Sequence, residues 1–309
     1  MSDRYPERAI HAFDETGVEL WRKPTGGNYG PLAPKVAADG TVLMGTGDGF
    51  VHALDPHTGN ELWNVSAEHL SSDITVYQDG RASYCADNQI VCVDLNTHKV
   101  TSNTPLPSDQ EFESDPVLGP DGTVYGGGKD GYVHALESGT GIEKWRAQTD
   151  GMLRNSPAVA TDGTIYAGCI GGSLHAIHPD DGSEKWKFST GSSILPSPVV
   201  GPDGTVFVAN SDGMVYAVDP ASGRAKWGTR VDDEIRVEPR PADKGLLYVV
   251  ADNNTVSCLD QATGQSKMHY QAPSYIHNPP ACDGQGNFYY GCNNGRLYAV
   301  HASALEAQA

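Results

Sequence analysis

The stretch Pro196 to Trp227, PSPVVGPDGTVFVANSDGMVYAVDPASGRAKW, decides the fold. A short apolar strand at Pro198 to Val200 ends in the turn Pro202-Asp203-Gly204, and a second strand, Thr205 to Ala209, ends in Ser211-Asp212-Gly213. A third strand, Met214 to Asp219, enters the turn Asp219-Pro220-Ala221-Ser222-Gly223, and a fourth carries Trp227. Proline presets φ in such turns, glycine takes positive φ without a Cβ penalty, and aspartate bonds the backbone two residues on. Four short strands joined by tight turns make one antiparallel sheet.

The sheet recurs. Copies run from Ala33 to Trp63, Ser114 to Trp145 and Asn155 to Trp186, and degenerate ones occupy Ser72 to Ser102, Val237 to Met268 and Asn278 to Ala309. The repeats are therefore 33–63, 72–102, 114–145, 155–186, 196–227, 237–268 and 278–301, the last to be completed by 8–23. Gly40, Gly80, Gly122, Gly163, Gly204, Gly245 and Gly286 recur every 40 to 42 residues, and all five tryptophans (Trp21, Trp63, Trp145, Trp186, Trp227) share one position. This predicts an all-β fold, a seven-bladed β-propeller of four-stranded antiparallel blades, in a single domain spanning 1–309.

The two ends complement one another. Arg8 to Trp21 is only the last half of a repeat, whereas Ala302 to Ala309 has no glycine turn and no tryptophan. The Trp21 strand is expected to complete the C-terminal blade, closing the ring and removing its free edge. One count resists this scheme: the third-strand motif occurs eight times, because Ile10 to Asp14 and Leu297 to His301 both supply it. An eight-bladed ring with an incomplete blade is the alternative.

A net charge of -18 and a pI near 4.8 argue against nucleic acid and anionic membranes as partners, since both need a basic surface. No apolar run reaches the ~18 residues of a spanning helix, so no membrane insertion is expected. MSDRYPERAI lacks the basic region and apolar core of an export signal. That places the protein in the cytoplasm if Met1 is native, and in the periplasm or outside the cell if a signal has been removed. The acidic surface suits a soluble monomer.

The repeat columns weigh the reactive residues. Cys92 and Cys258 stand where other repeats hold Ala53, Ala135, Ala176, Ala217 and Ala299, and Cys169 and Cys292 stand where one repeat has Gly128. Such places want small buried side chains, and no CxxC or adjacent pair occurs, so free structural thiols are expected. A Cys85–Cys92 cross-strand bond is the alternative. His11, His52, His134 and His175 share a column with Tyr216, Tyr298, Val91 and Ser257, which reads as packing with a polar tip rather than as a metal site. Asp14, Asp55, Asp94, Asp219 and Asp260 read as turn acceptors, not catalytic acids.

The pattern TVYxGxxDGxxxALDxxTGxxxW, seen in Thr123 to Trp145 and Thr205 to Trp227, resembles the pyrroloquinoline-quinone-type propeller repeat and extends from Arg8 to about His301. The resemblance implies two kinds of relative: quinoprotein dehydrogenases, and non-enzymatic propellers such as the outer-membrane assembly lipoprotein. The dehydrogenases hold their quinone under a vicinal disulfide with a stacking tryptophan and calcium. Here no two cysteines are adjacent, and every tryptophan is used in the repeat column. No cofactor and no enzymatic activity are expected.

A binding role has a positive signal in the loops leading into each first strand. One column is apolar: Leu70, Phe112, Leu153, Ile194, Ile235 and Ile276. Strand alternation sends its neighbours to the opposite face, towards the mouth of the ring. Those neighbours vary in size and charge, as recognition residues on a rigid scaffold do. The candidates for contact with a protein or peptide partner are Tyr29, His69, Glu111, Glu113, Met152, Arg154, Glu234, Arg236, Tyr275 and His277. A small-ligand or glycan sensor using Tyr29, Tyr275, Met152 and Arg154, and a quinone-dependent oxidoreductase, are the alternatives.

Overall fold

The computed structural model describes residues 9–14, 16–24, 34–46, 48–67, 70, 72, 74–77, 80–86, 89–105, 114–138, 141–231, 233–276, 279–282 and 287–301. Two compact units make up the chain, residues 1–126 with 135–144 and residues 127–134 with 145–309. Each of the seven repeats forms an antiparallel sheet whose strands follow chain order. Six have four strands, for example Val199–Val200, Val206–Ala209, Met214–Val218 and Ala225–Arg230. The last has three among the described residues: Ala281–Cys282, Asn287–Cys292 and Arg296–His301.

Burial follows from position in the sheet. The second strands Ile165–Gly168 and Val206–Ala209 are buried on both faces, which is why they read as unbroken apolar runs. Fourth strands such as Ala225–Arg230 alternate between exposed and half-buried positions. The small-residue column lies in the core: Ala53, Ala135, Ala176 and Ala217 are fully buried, and Cys92 and Cys258 nearly so. Ala53, Ala176 and Ala217 lie opposite Trp63, Trp186 and Trp227, with a register shift immediately after each pair. In the three-stranded sheet the same face is open, with Ala299 exposed and Leu297 60% exposed. All six cysteines are free.

The N-terminal half repeat forms a hairpin. Strands Ala9–Phe13 and Glu19–Pro24 pair with each other, Ala12 opposite Trp21, as third and fourth strands do elsewhere. The Asp14 turn between them is closed by Gly17 N–H to Asp14 O at 3.0 Å. Both third-strand motifs form strands.

Each tryptophan docks on the repeat that follows it. Trp186 Nε1 donates to Pro220 O at 2.8 Å, and its ring covers Gly223. Trp21 does the same at Pro56 and Gly59, Trp145 at Pro179 and Gly182, and Trp227 at Gln261 and Gly264. These four glycines have φ between +67° and +74°, a conformation that glycine adopts without strain. One repeat departs: His98 takes the glycine's place at φ +57°, and Trp63 stacks on its ring at 4.9 Å. The indoles are half-buried rather than enclosed.

The aspartates ahead of the last turn are acceptors. Asp219 Oδ1 accepts from the Ser222 hydroxyl at 2.7 Å and the Ser222 N–H at 2.8 Å. These bonds, the hydroxyl first, hold Asp219 below its ordinary carboxylate value. Thr16, Thr58 and Thr263 act likewise on Asp14, Asp55 and Asp260. A depressed folded pKa adds stability above the ordinary carboxylate range, and that stability is lost as pH falls through the folded value. Each exposed contribution is screened, so the effect is collective. Thermal melts should hold level from pH 7 to about pH 5 and drop below about pH 4. A melting temperature unchanged down to pH 3 would contradict the assignment.

Candidate interaction site

The loops entering the first strands are built on the apolar column. Leu153, Ile194, Ile235 and Ile276 are buried, and Leu70 bridges Ala86. Leu153 and Ile194 donate their N–H groups to Gly128 O and Cys169 O, both at 3.1 Å. Their side chains lie over Gly127 and Gly168, where a Cβ would approach within 2.7 and 2.4 Å. Only glycine leaves room for that side chain, so the loop is seated against the sheet of the preceding repeat. Phe112 lies outside the described residues.

One residue earlier, a second tie recurs. The carbonyls of Met152, Ser193, Glu234 and Tyr275 accept N–H bonds from Ile170, Ser211, Asp252 and Asn293 at 2.9 to 3.0 Å. This fixes each loop to the turn after its own second strand. With the apolar residue buried, the flanking side chains face outward: Met152, Glu234 and Tyr275 are half-buried, and Arg154 and Arg236 exposed. Tyr29, His69, Glu111, Glu113 and His277 lie outside the described residues.

Three of the sequence candidates come together. Arg236 Nη2 donates to Glu234 Oε2 at 2.8 Å, and Arg236 Nε donates to Asp252 Oδ2 at 2.8 Å. Tyr275 donates its hydroxyl to the other oxygen, Asp252 Oδ1, at 2.9 Å. The Glu234 hydrogen bond, with the Asp252 charge beside it, holds the Arg236 guanidinium above its ordinary pKa. Burial and the bond to Asp252 push the Tyr275 hydroxyl up. Asp252 escaped the sequence reading because it sits in a turn column. The available signal was a carboxylate where sister repeats hold Ile170 and Ser211.

The cluster therefore sums to one excess negative charge around a guanidinium that remains 55% exposed. It offers a flat cation and a phenol ring already oriented by their carboxylates, which lowers the ordering cost of a contact. The histidine column, by contrast, is spent within the sheets. His11 and His175 place Nδ1 2.7 and 2.8 Å from Glu19 and Glu184, His52 meets Glu61, and His134 Nε2 lies 3.1 Å from Asp130. Among the described residues no three His, Cys, Asp or Glu side chains are placed to share a metal ion.

Over residues 6–100, 47–193 and 171–304 the chain matches the profile of the family described as Outer membrane protein assembly factor BamB. Among solved structures, BamB from Moraxella catarrhalis superposes with a TM-score of 0.74 at 20% identity, covering 93% of this chain and 89% of that one. The computationally designed Ika8 protein gives 0.78 at 19% identity, with 96% and 91% covered. The C-terminal WD40 domain of Sif2 gives 0.80 at 14% identity, with 95% and 89% covered. At these identities the likeness is one of fold, the β-propeller. The serine/threonine-protein kinase AfsK of Streptomyces griseus is 30% identical over 129 residues, 38% of this chain, and the chain spans only 16% of that protein's length.

Proposed function

Because the chain belongs to the family of the outer membrane protein assembly factor BamB, we propose that it is a non-catalytic propeller that recognises a protein or peptide partner through the loops entering its first strands. The observation that carries this reading is the Glu234–Arg236–Asp252–Tyr275 network. Arginine and tyrosine are the residue types in which interface energy concentrates, and here both are oriented in advance. The carboxylates that orient Arg236 leave an acidic surround, which favours a partner of mixed charge. A quinone does not fit the described residues: Trp21, Trp145, Trp186 and Trp227 are bonded to the following repeat, and Trp63 stacks on His98.

A photo-crosslinking amino acid at position 275 tests this in lysate. Crosslinks to one protein from position 275, and none from position 62 on an exposed fourth strand, are expected. Crosslinks confined to position 62 would move recognition away from these loops.

A further inference from the structure

Among the described residues four indoles are laid on the repeat that follows, and their seats share one form. A glycine at positive φ is the floor, and the carbonyl three residues before it accepts the indole N–H. In the seat of Trp186, Gly223 N–H donates to Asp219 O at 2.9 Å, and Asp219 N–H donates to Arg224 O at 2.8 Å.

A fifth seat of this form stands at Ser138 and Gly141. Gly141 has φ +68°, its N–H donates to Glu137 O at 2.6 Å, and Glu137 N–H donates to Ile142 O at 2.9 Å. The fourth strand of the preceding repeat is Lys99–Pro105, and the residue in the tryptophan's place there is Ser102. Ser102 pairs with Cys92 beside a register shift, as Trp227 pairs with Ala217. A serine brings no indole. The preceding repeat therefore cannot fill this seat as its sisters fill theirs.

The neighbouring places differ as well. Val100, two residues before Ser102, is 44% exposed, and Ile142, next to Gly141, is 66% exposed. At the Trp145 and Trp186 seats the same two places hold Glu143 with Ser183 and Glu184 with Arg224. Exposed apolar side chains on both elements of one junction suit a contact surface. Arg81 also reaches this turn, donating Nη1 to Ser138 Oγ at 2.9 Å. A guanidinium at the seat attracts an aromatic ring.

We propose that this seat takes a tryptophan side chain from a protein partner, its ring laid on Gly141 and its indole N–H donated to Ser138 O. A carbonyl has two lone pairs, so Ser138 O can accept the indole beside another donor. A second copy of this chain has no tryptophan to give without unseating its own. Trp21, Trp145, Trp186 and Trp227 are bonded to the next repeat, and Trp63 stacks on His98. The occupant is therefore a different polypeptide. Val100 and Ile142 extend the apolar contact beyond one ring, which favours a tryptophan flanked by apolar residues over free indole. This contact goes beyond the loops entering the first strands, and its test is independent of theirs.

The test is fluorine NMR of an acetylated and amidated valine–fluorotryptophan–valine peptide added to the folded chain. The fluorine line should broaden, and the effect should saturate. Ser102→Trp should weaken this binding at least about tenfold, because the chain then supplies the indole itself, and should raise the melting temperature by about 2 °C or more. Gly141→Ala should weaken binding by a similar factor, since a Cβ on the sister glycine Gly223 would stand 2.6 Å from the Trp186 ring. If Gly141→Ala disturbs the turn, Ser102→Trp still decides, because it is expected to add stability. A line left sharp by the wild-type chain, binding or melting unchanged by Ser102→Trp, or fluoroindole alone binding as tightly as the peptide would each overturn the proposal.

Discussion

Trp186→Ala should lower stability by about 3 kcal/mol, at the low end for a large aromatic because the indole is only half-buried. The loss has two parts. The ring gives up its contact with Gly223 and its tilted packing on Tyr166, 5.6 Å between centroids. Its Nε1 also gives up the bond to Pro220 O, a link between neighbouring repeats. Since this indole holds its repeat to the next, the change should shift the urea midpoint of the whole transition. A shift worth less than about 1 kcal/mol would show that the indole covers its neighbour without holding it.

Gly223→Ala attacks the same latch from the other side and should cost about as much. Gly223 has φ +67°, where an L-residue costs about 1 kcal/mol. A Cβ there would stand 2.6 Å from Cδ2 of Trp186, in the body of the ring rather than at the tip of a flexible chain. The indole must move, and its bond to Pro220 O is lost with it, which adds about 2 kcal/mol. The two terms separate in a double-mutant cycle. In a Trp186→Ala background, Gly223→Ala should cost only the backbone term of about 1 kcal/mol, leaving a coupling of about 2 kcal/mol. Strict additivity would break the link between this glycine and this indole.

The repeat was legible because its determinants are local and recur. Pro202-Asp203-Gly204 and Asp219 to Gly223 specify turns by backbone chemistry, and the register they set places Ala217 opposite Trp227. What escaped depends on contacts across strands or between repeats. The carboxylates that hold His11, His52 and His175 come from the fourth strand, beyond a register shift that sequence spacing alone does not reveal. His98 in the glycine place carried no sequence signal, and it is a stacking partner for Trp63.

At the candidate site, alternation about the buried Leu153, Ile194, Ile235 and Ile276 found which residues face outward. It could not find that Arg236 is held by two carboxylates, because Asp252 belongs to another turn of the same repeat.

The most direct measurement is the affinity of the partner identified by crosslinking for the wild-type chain and for an Arg154→Ala/Arg236→Ala variant. Both arginines are exposed, so the melting temperature should stay unchanged while binding weakens by at least about tenfold, near 1.4 kcal/mol. Affinity that survives this double change, yet disappears when the exposed fourth-strand residues Leu62 and Lys226 are altered, would contradict recognition through the first-strand loops.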